Sequence, residues 1–86
     1  MPRISSFYGI VIALYYADHA PPQFHAIYAG HEASVAIETL EILAGGLPRR
    51  AGSLVAEWAR IHQGDLRAAW DRAARGEPPG RIEPLP

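Results

Sequence analysis

Apolar positions recur with a two-residue period through the first half of the chain and with a helical period through the second. Over residues 8–16 both alternating sets are apolar: Tyr8, Ile10, Ile12, Leu14 and Tyr16 share one side, and Gly9, Val11, Ala13 and Tyr15 the other. A strand apolar on both faces belongs in the middle of a sheet. Pro21 and Pro22 then interrupt the pattern, because neither can donate to a ladder. A second strand is predicted over residues 24–29, and Gly30 suits the positive φ of a tight hairpin. The chain returns as a strand over 32–38, with Val35 and Ile37 on one side and Ser34 and Ala36 on the other. Residues 41–43 form a candidate short fourth strand, and Gly45 with Gly46 closes this half.

In the second half, Pro48 suits a first helical position, where its missing N–H costs nothing. Leu54, Val55, Trp58, Ile61 and His62 follow helical spacing, as do Leu66, Ala69, Trp70 and Ala73. An unbroken helix over 48–75 would be about 42 Å long, against a radius of gyration of about 12 Å for a domain of this size. The spacing therefore predicts a break, with Gly64 ending one helix and Asp65 capping the next. Gly76, Pro78 and Pro79 end the helical region, and an extended tail follows in which Ile82 and Leu85 can dock. The expected architecture is α+β in a single domain over 1–86. A small antiparallel sheet of three to four strands (about 7–43) precedes two C-terminal helices (about 48–76) packed on one face, with an extended tail over 77–86.

Composition narrows the setting. A chain of 86 residues buries only about 60–65% of its unfolded surface, so a protein partner or a homo-oligomer would add stability. It contains no cysteine, which excludes disulfides and thiolate zinc sites. No apolar run reaches the roughly 18 residues of a membrane span, and the N-terminal residues lack the apolar stretch of a secretory signal. The expectation is therefore a cytoplasmic protein with no membrane partner. Residues 1–48 carry one arginine against four acids, a net of −3, and residues 49–86 carry seven arginines against five acids, a net of +2. That asymmetry falls short of a nucleic-acid-binding surface, although an arginine-bearing helical face could touch nucleic acid.

Several short motifs are familiar together: Met1-Pro2-x-Ile4, Phe7-x-Gly9-Ile10-x-Ile12, Asp18-His19-x-Pro21-Pro22-x-Phe24-His25-Ala26, Leu47-Pro48, Val55-x-Glu57-Trp58 and Ile82-Glu83-Pro84-Leu85. They resemble a bacterial family known as domain of unknown function 4160, over essentially the whole chain. The resemblance implies a small stand-alone protein, often encoded beside another short protein in an arrangement that suggests toxin–antitoxin pairing. It carries over no catalytic residue. The family pattern usually has a third histidine between the prolines and the phenylalanine, where this chain has Gln23.

The segment over 18–25 holds the candidate chemistry. His19 and His25 flank the proline pair, whose restricted backbone stiffens the loop. In a strand, Gln23 and His25 share a face while Phe24 turns to the other. Imidazoles titrate near neutrality and ligate metals, so His19 and His25 are candidate catalytic residues, with Asp18 and Gln23 as candidate binding residues. A divalent metal at His19 and His25 would lack a third nitrogen or sulfur ligand, so no cofactor is expected. Arg49 and Arg50 open the first predicted helix, where the dipole disfavours cations, and are candidate anion-binding residues. Two functions follow. One is an interaction protein, half of a toxin–antitoxin-like pair; the alternative is a small histidine-based or metal-assisted hydrolase or ribonuclease using His19 and His25.

Overall fold

A computed structural model describes residues 2–16 and 18–86. It contains five strands, β1 (Arg3–Phe7), β2 (Ile10–Ala13), β3 (Gln23–Tyr28), β4 (His31–Ala36) and β5 (Ile42–Gly45), then two helices, α1 (Arg49–Ile61) and α2 (Gln63–Ala74). The strands form one antiparallel sheet in the order β1-β2-β3-β4-β5, a meander in which each strand pairs with its sequence neighbour.

The α+β class holds, but the sheet has five strands instead of three to four. It also begins at Arg3 and ends at Gly45, outside the expected 7–43. The difference lies in the run over 8–16, which is not one strand. Tyr8 and Gly9, at φ 51° and 79°, form a two-residue turn that folds Phe7 back onto Ile10. Ala29 and Gly30, at φ 49° and 83°, repeat the device between β3 and β4. Gly45, expected to close the sheet half, instead lies within β5 at φ 71°. A Cβ there would sit 2.1 Å from the Glu32 carbonyl oxygen, so this close approach of β5 to β4 requires glycine.

Period-two alternation sorts the sheet into two faces. Ile10, Ile12, Phe24, Ala26, Ala33 and Val35 join the core with Ala51, Val55, Trp58 and Ala59 of α1 and Leu66 and Ala69 of α2. Trp58 is fully buried at its centre, with its ring centroid 5.4 Å from Phe7 and 5.9 Å from Phe24, the latter edge-on. On the opposite face, the register aligns Ala13 with His25 and His25 with Ser34.

The helices are separated at His62, not at Gly64, which lies inside α2. The Gln63 side-chain amide donates to the carbonyls of Ile37 (2.8 Å) and Glu38 (3.2 Å), tying the start of α2 to the end of the β4 segment. The tail docks as expected. Ile82 and Leu85 are buried, Ile82 N donates to Ile4 O (2.7 Å), and Trp58 Nε1 donates to Glu83 O (2.8 Å). These contacts place the tail along β1, one of the two edge strands.

Candidate functional site

The connection from β2 to β3 brings Tyr15 and Asp18 to the sheet face that carries His25, and the same two residues border Trp70, Ala73 and Ala74 of α2. His25 points out of that face, and the loop supplies its partner: His25 Nε2 lies 2.9 Å from Asp18 Oδ2, both side chains being about nine-tenths buried. On the other side of the ring, Nδ1 meets Glu32 Oε2 at 3.2 Å and Ser34 Oγ at 3.3 Å. The Tyr15 ring packs against the imidazole at a centroid distance of 4.0 Å, tilted by 40°, and its hydroxyl donates to Glu32 Oε2 at 3.0 Å. Burial, the hydrogen bond to Glu32 and the charges of Glu32 and Asp18 push the Tyr15 phenol above its usual range.

The cluster is thus one imidazole bracketed by two carboxylates, capped by a tyrosine and flanked by a serine. With an oxygen acceptor at each nitrogen, the ring can donate on both sides only as imidazolium. As a neutral ring it can donate to Asp18 and accept from the Ser34 hydroxyl. Either form satisfies the ring, which makes the cluster a well-anchored clasp between the loop and the sheet.

The expected site residues separate into three groups. Asp18 and His25 come together. His19 does not join them: its side chain is 83% exposed, Nε2 stands 3.9 Å from Asp18 Oδ1, and Nδ1 faces its neighbour's carbonyl, Ala20 O. Gln23 is buried, and its amide donates to the carbonyls of His19 (3.0 Å) and Pro21 (3.1 Å), so the loop itself occupies its donors. Arg49 and Arg50 are exposed at the start of α1. Arg50 lines a cavity of about 150 Å³ with Tyr8, Tyr28 and Leu54, at the end of the sheet remote from the β2–β3 connection. Among the described residues, no group of three or more His, Cys, Asp or Glu side chains is placed to hold a metal ion.

Tyr15, Glu32 and Ser34 are members of the cluster that the sequence reading passed over. The signal for two of them was present: a two-residue turn at Ala29-Gly30 fixes the β3–β4 register, which sets Ser34 opposite His25 and Glu32 one position along the same face. Among the described residues, no helix is long and apolar enough to cross a membrane. No curated protein and no solved structure matches the chain. A family model does match, across residues 9–71 from the Tyr8-Gly9 turn into α2, and by that match the chain belongs to the family described as Domain of unknown function (DUF4160).

Proposed function

We propose that the chain is a protein-interaction component, one half of a paired small-protein system of the toxin–antitoxin kind, with the β5 edge as its contact surface. One observation supports this most directly. All four residues of β5 are exposed, Ile42 by 56% and Leu43 by 44%, and β5 lies at the edge of the sheet. Edge strands offer unpaired N–H and C=O groups, and proteins usually blunt them with lysine, proline or an inward charge. β5 is short and its pairing with β4 has a register irregularity between Ser34 and Val35, but Ile42-Leu43-Ala44-Gly45 carries no lysine, proline or charge. The contrast with β1 is informative, because the tail lies along that edge, and among the described residues no segment covers β5 in the same way. Beside β5, Leu40, Ile42, Leu47, Val55 and Ala59 line an apolar groove of about 100 Å³. An edge with adjoining apolar pockets suits strand addition, in which main-chain bonds give affinity and pockets give specificity.

Pairing with an encoded neighbour rests on analogy with the family. Co-expression with that neighbour tests it: the tagged chain should co-purify with it, and Leu43→Lys should abolish capture while leaving the fold intact. No co-purification and no effect on growth in either arrangement would sink the reading.

A histidine-based hydrolase or ribonuclease is the second reading, favoured by the line Ser34 Oγ–His25 Nδ1 and His25 Nε2–Asp18 Oδ2, a hydroxyl, imidazole and carboxylate in series. Against it, Glu32 shares the Nδ1 side, His19 stands apart, and the arginines lie at the other end of the sheet. Turnover of an ester or RNA substrate that His25→Ala abolishes in a folded protein would favour it.

A further inference from the structure

We infer that the cavity between the Tyr8-Gly9 turn, the end of β3 and the start of α1 is a binding site for a small aromatic carboxylate, whose ring lies against Tyr8 and Tyr28 and whose charge is met by Arg50. No residue of β5 lines this cavity, so the site is separate from the proposed contact edge.

The cavity holds about 150 Å³, a volume at which an apolar protein cavity takes up a benzene ring. Its base is apolar: Ile10 is fully buried, Ala51 nearly so, and Leu54 is half-buried. Tyr8 and Tyr28 add two aromatic side chains, which favour an aromatic guest through offset or edge-on contacts. The turn holds Tyr28 closely, since a Cβ added to Gly9 would stand 3.4 Å from its Cε1. Tyr8 donates its hydroxyl to Pro86 O, which leaves its ring as what it offers the cavity.

Tyr8 occupies its position at a cost. At φ 51° it takes a left-handed place in the turn that glycine, asparagine and aspartate adopt more readily. Burial does not offset that cost, because the side chain is 60% exposed. Strain of this kind at a non-glycine residue gathers at ligand sites, and this tyrosine lines the cavity from its exposed side.

The charge in the lining is a cation without a counter-ion. Among the described residues, no acidic side chain lines the cavity or pairs with Arg50. α1 also begins with no side-chain cap and no acid in its first turn, so its positive end adds to the guanidinium charge instead of cancelling it. An anionic guest relieves both, and a guanidinium receives a carboxylate through two parallel hydrogen bonds. The combination selects the ligand. A neutral ring leaves Arg50 unused, and a small aliphatic anion leaves the aromatic walls unused.

Nitrogen–proton correlation spectra of the full chain, titrated with phenylacetate, test the inference. Saturable shifts are expected at the amides of Gly9, Tyr28, Arg50 and Leu54, with a Kd on the order of 1 mM for so small a ligand. Benzyl alcohol (ring without charge) and acetate (charge without ring) should each bind at least about ten-fold more weakly. Arg50→Gln alters an exposed side chain and should weaken phenylacetate about ten-fold. Its binding of benzyl alcohol should match the wild type, which shows the cavity intact. The absence of saturable shifts up to about twenty times the expected Kd overturns the inference. Acetate binding as well as phenylacetate would reduce the site to a positive helix start, and benzyl alcohol doing so would reduce it to an apolar crevice. Either result overturns the inference, as does an Arg50→Gln variant that binds phenylacetate like the wild type.

Discussion

His25 Nε2 stands 2.9 Å from Asp18 Oδ2, so a residue inside β3 holds the loop that delivers the chain to that strand. Both groups are largely shielded from water. A buried polar group that loses its partner costs about 1–3 kcal/mol. His25→Ala leaves Asp18 Oδ2 without its imidazole partner, with only the His19 N–H still donating to Oδ1, and should lower stability by about that amount in urea denaturation. Asp18→Asn keeps an acceptor and should cost less. His19→Ala, at an exposed ring, should stay within about 0.5 kcal/mol of the wild type. An equal loss for the two histidine variants would contradict the separation of their roles.

That contrast shows how much of the site could be read in advance. The segment over 18–25 was legible because prolines and histidines are conspicuous between apolar strands, and the Asp18–His25 pair lies within it. Tyr15 was not, since in an alternating run it reads as one more apolar strand residue, and only the fold turns it onto the imidazole. The five-stranded sheet was missed at Tyr8. A non-glycine residue at positive φ is uncommon, and Tyr8 continues the apolar alternation across the turn it makes. Gly64 misplaced the helix break because a glycine costs a helix interior only about 1 kcal/mol. The Gln63 amide, bound to carbonyls far away in sequence, is a tertiary contact that local pattern cannot contain. The β3–β4 hairpin was read correctly because Gly30 stands between two well-defined strands.

Removing the tail's anchor should be costly. Ile82 is buried in the core, and truncating a buried isoleucine to alanine typically loses about 2–5 kcal/mol. Ile82→Ala should fall in that range. It should also promote aggregation on heating, because the β1 edge loses the chain that lies along it. Turbidity recorded beside the melting curve separates the two effects. A stable, clear variant would show that the tail contributes no cover.

Two glycines at positive φ should respond differently to alanine. At Gly30, a Cβ meets nothing within 4 Å, so Gly30→Ala carries only the left-handed backbone cost of about 1–2 kcal/mol. Gly45→Ala adds a collision with the Glu32 carbonyl, and should cost more and loosen β5 from β4. Hydrogen exchange at the amide of Gly46, which donates to Glu32 O, reports that loosening directly. Equal destabilisation by the two variants would mean that the sheet shifts to accept the methyl group.

The Tyr15 phenol is held above its ordinary value of 10.0, first by burial and then by Glu32 and Asp18. The native protein therefore keeps this proton to higher pH than the unfolded chain does. Well below pH 10.0 both states are protonated and the stabilising contribution is complete. Above it, the unfolded chain binds fewer protons than the native one, so stability falls as the pH climbs through the native value. The wild-type melting temperature should thus decline more steeply than that of Tyr15→Phe in this alkaline range, and the phenolate absorbance of Tyr15→Phe should lack a late-titrating component. Parallel declines would refute the linkage. The physical cause is local: once ionised, the phenolate opposes the Glu32 carboxylate it had been donating to, and the ring that covers His25 loses its hold on the sheet.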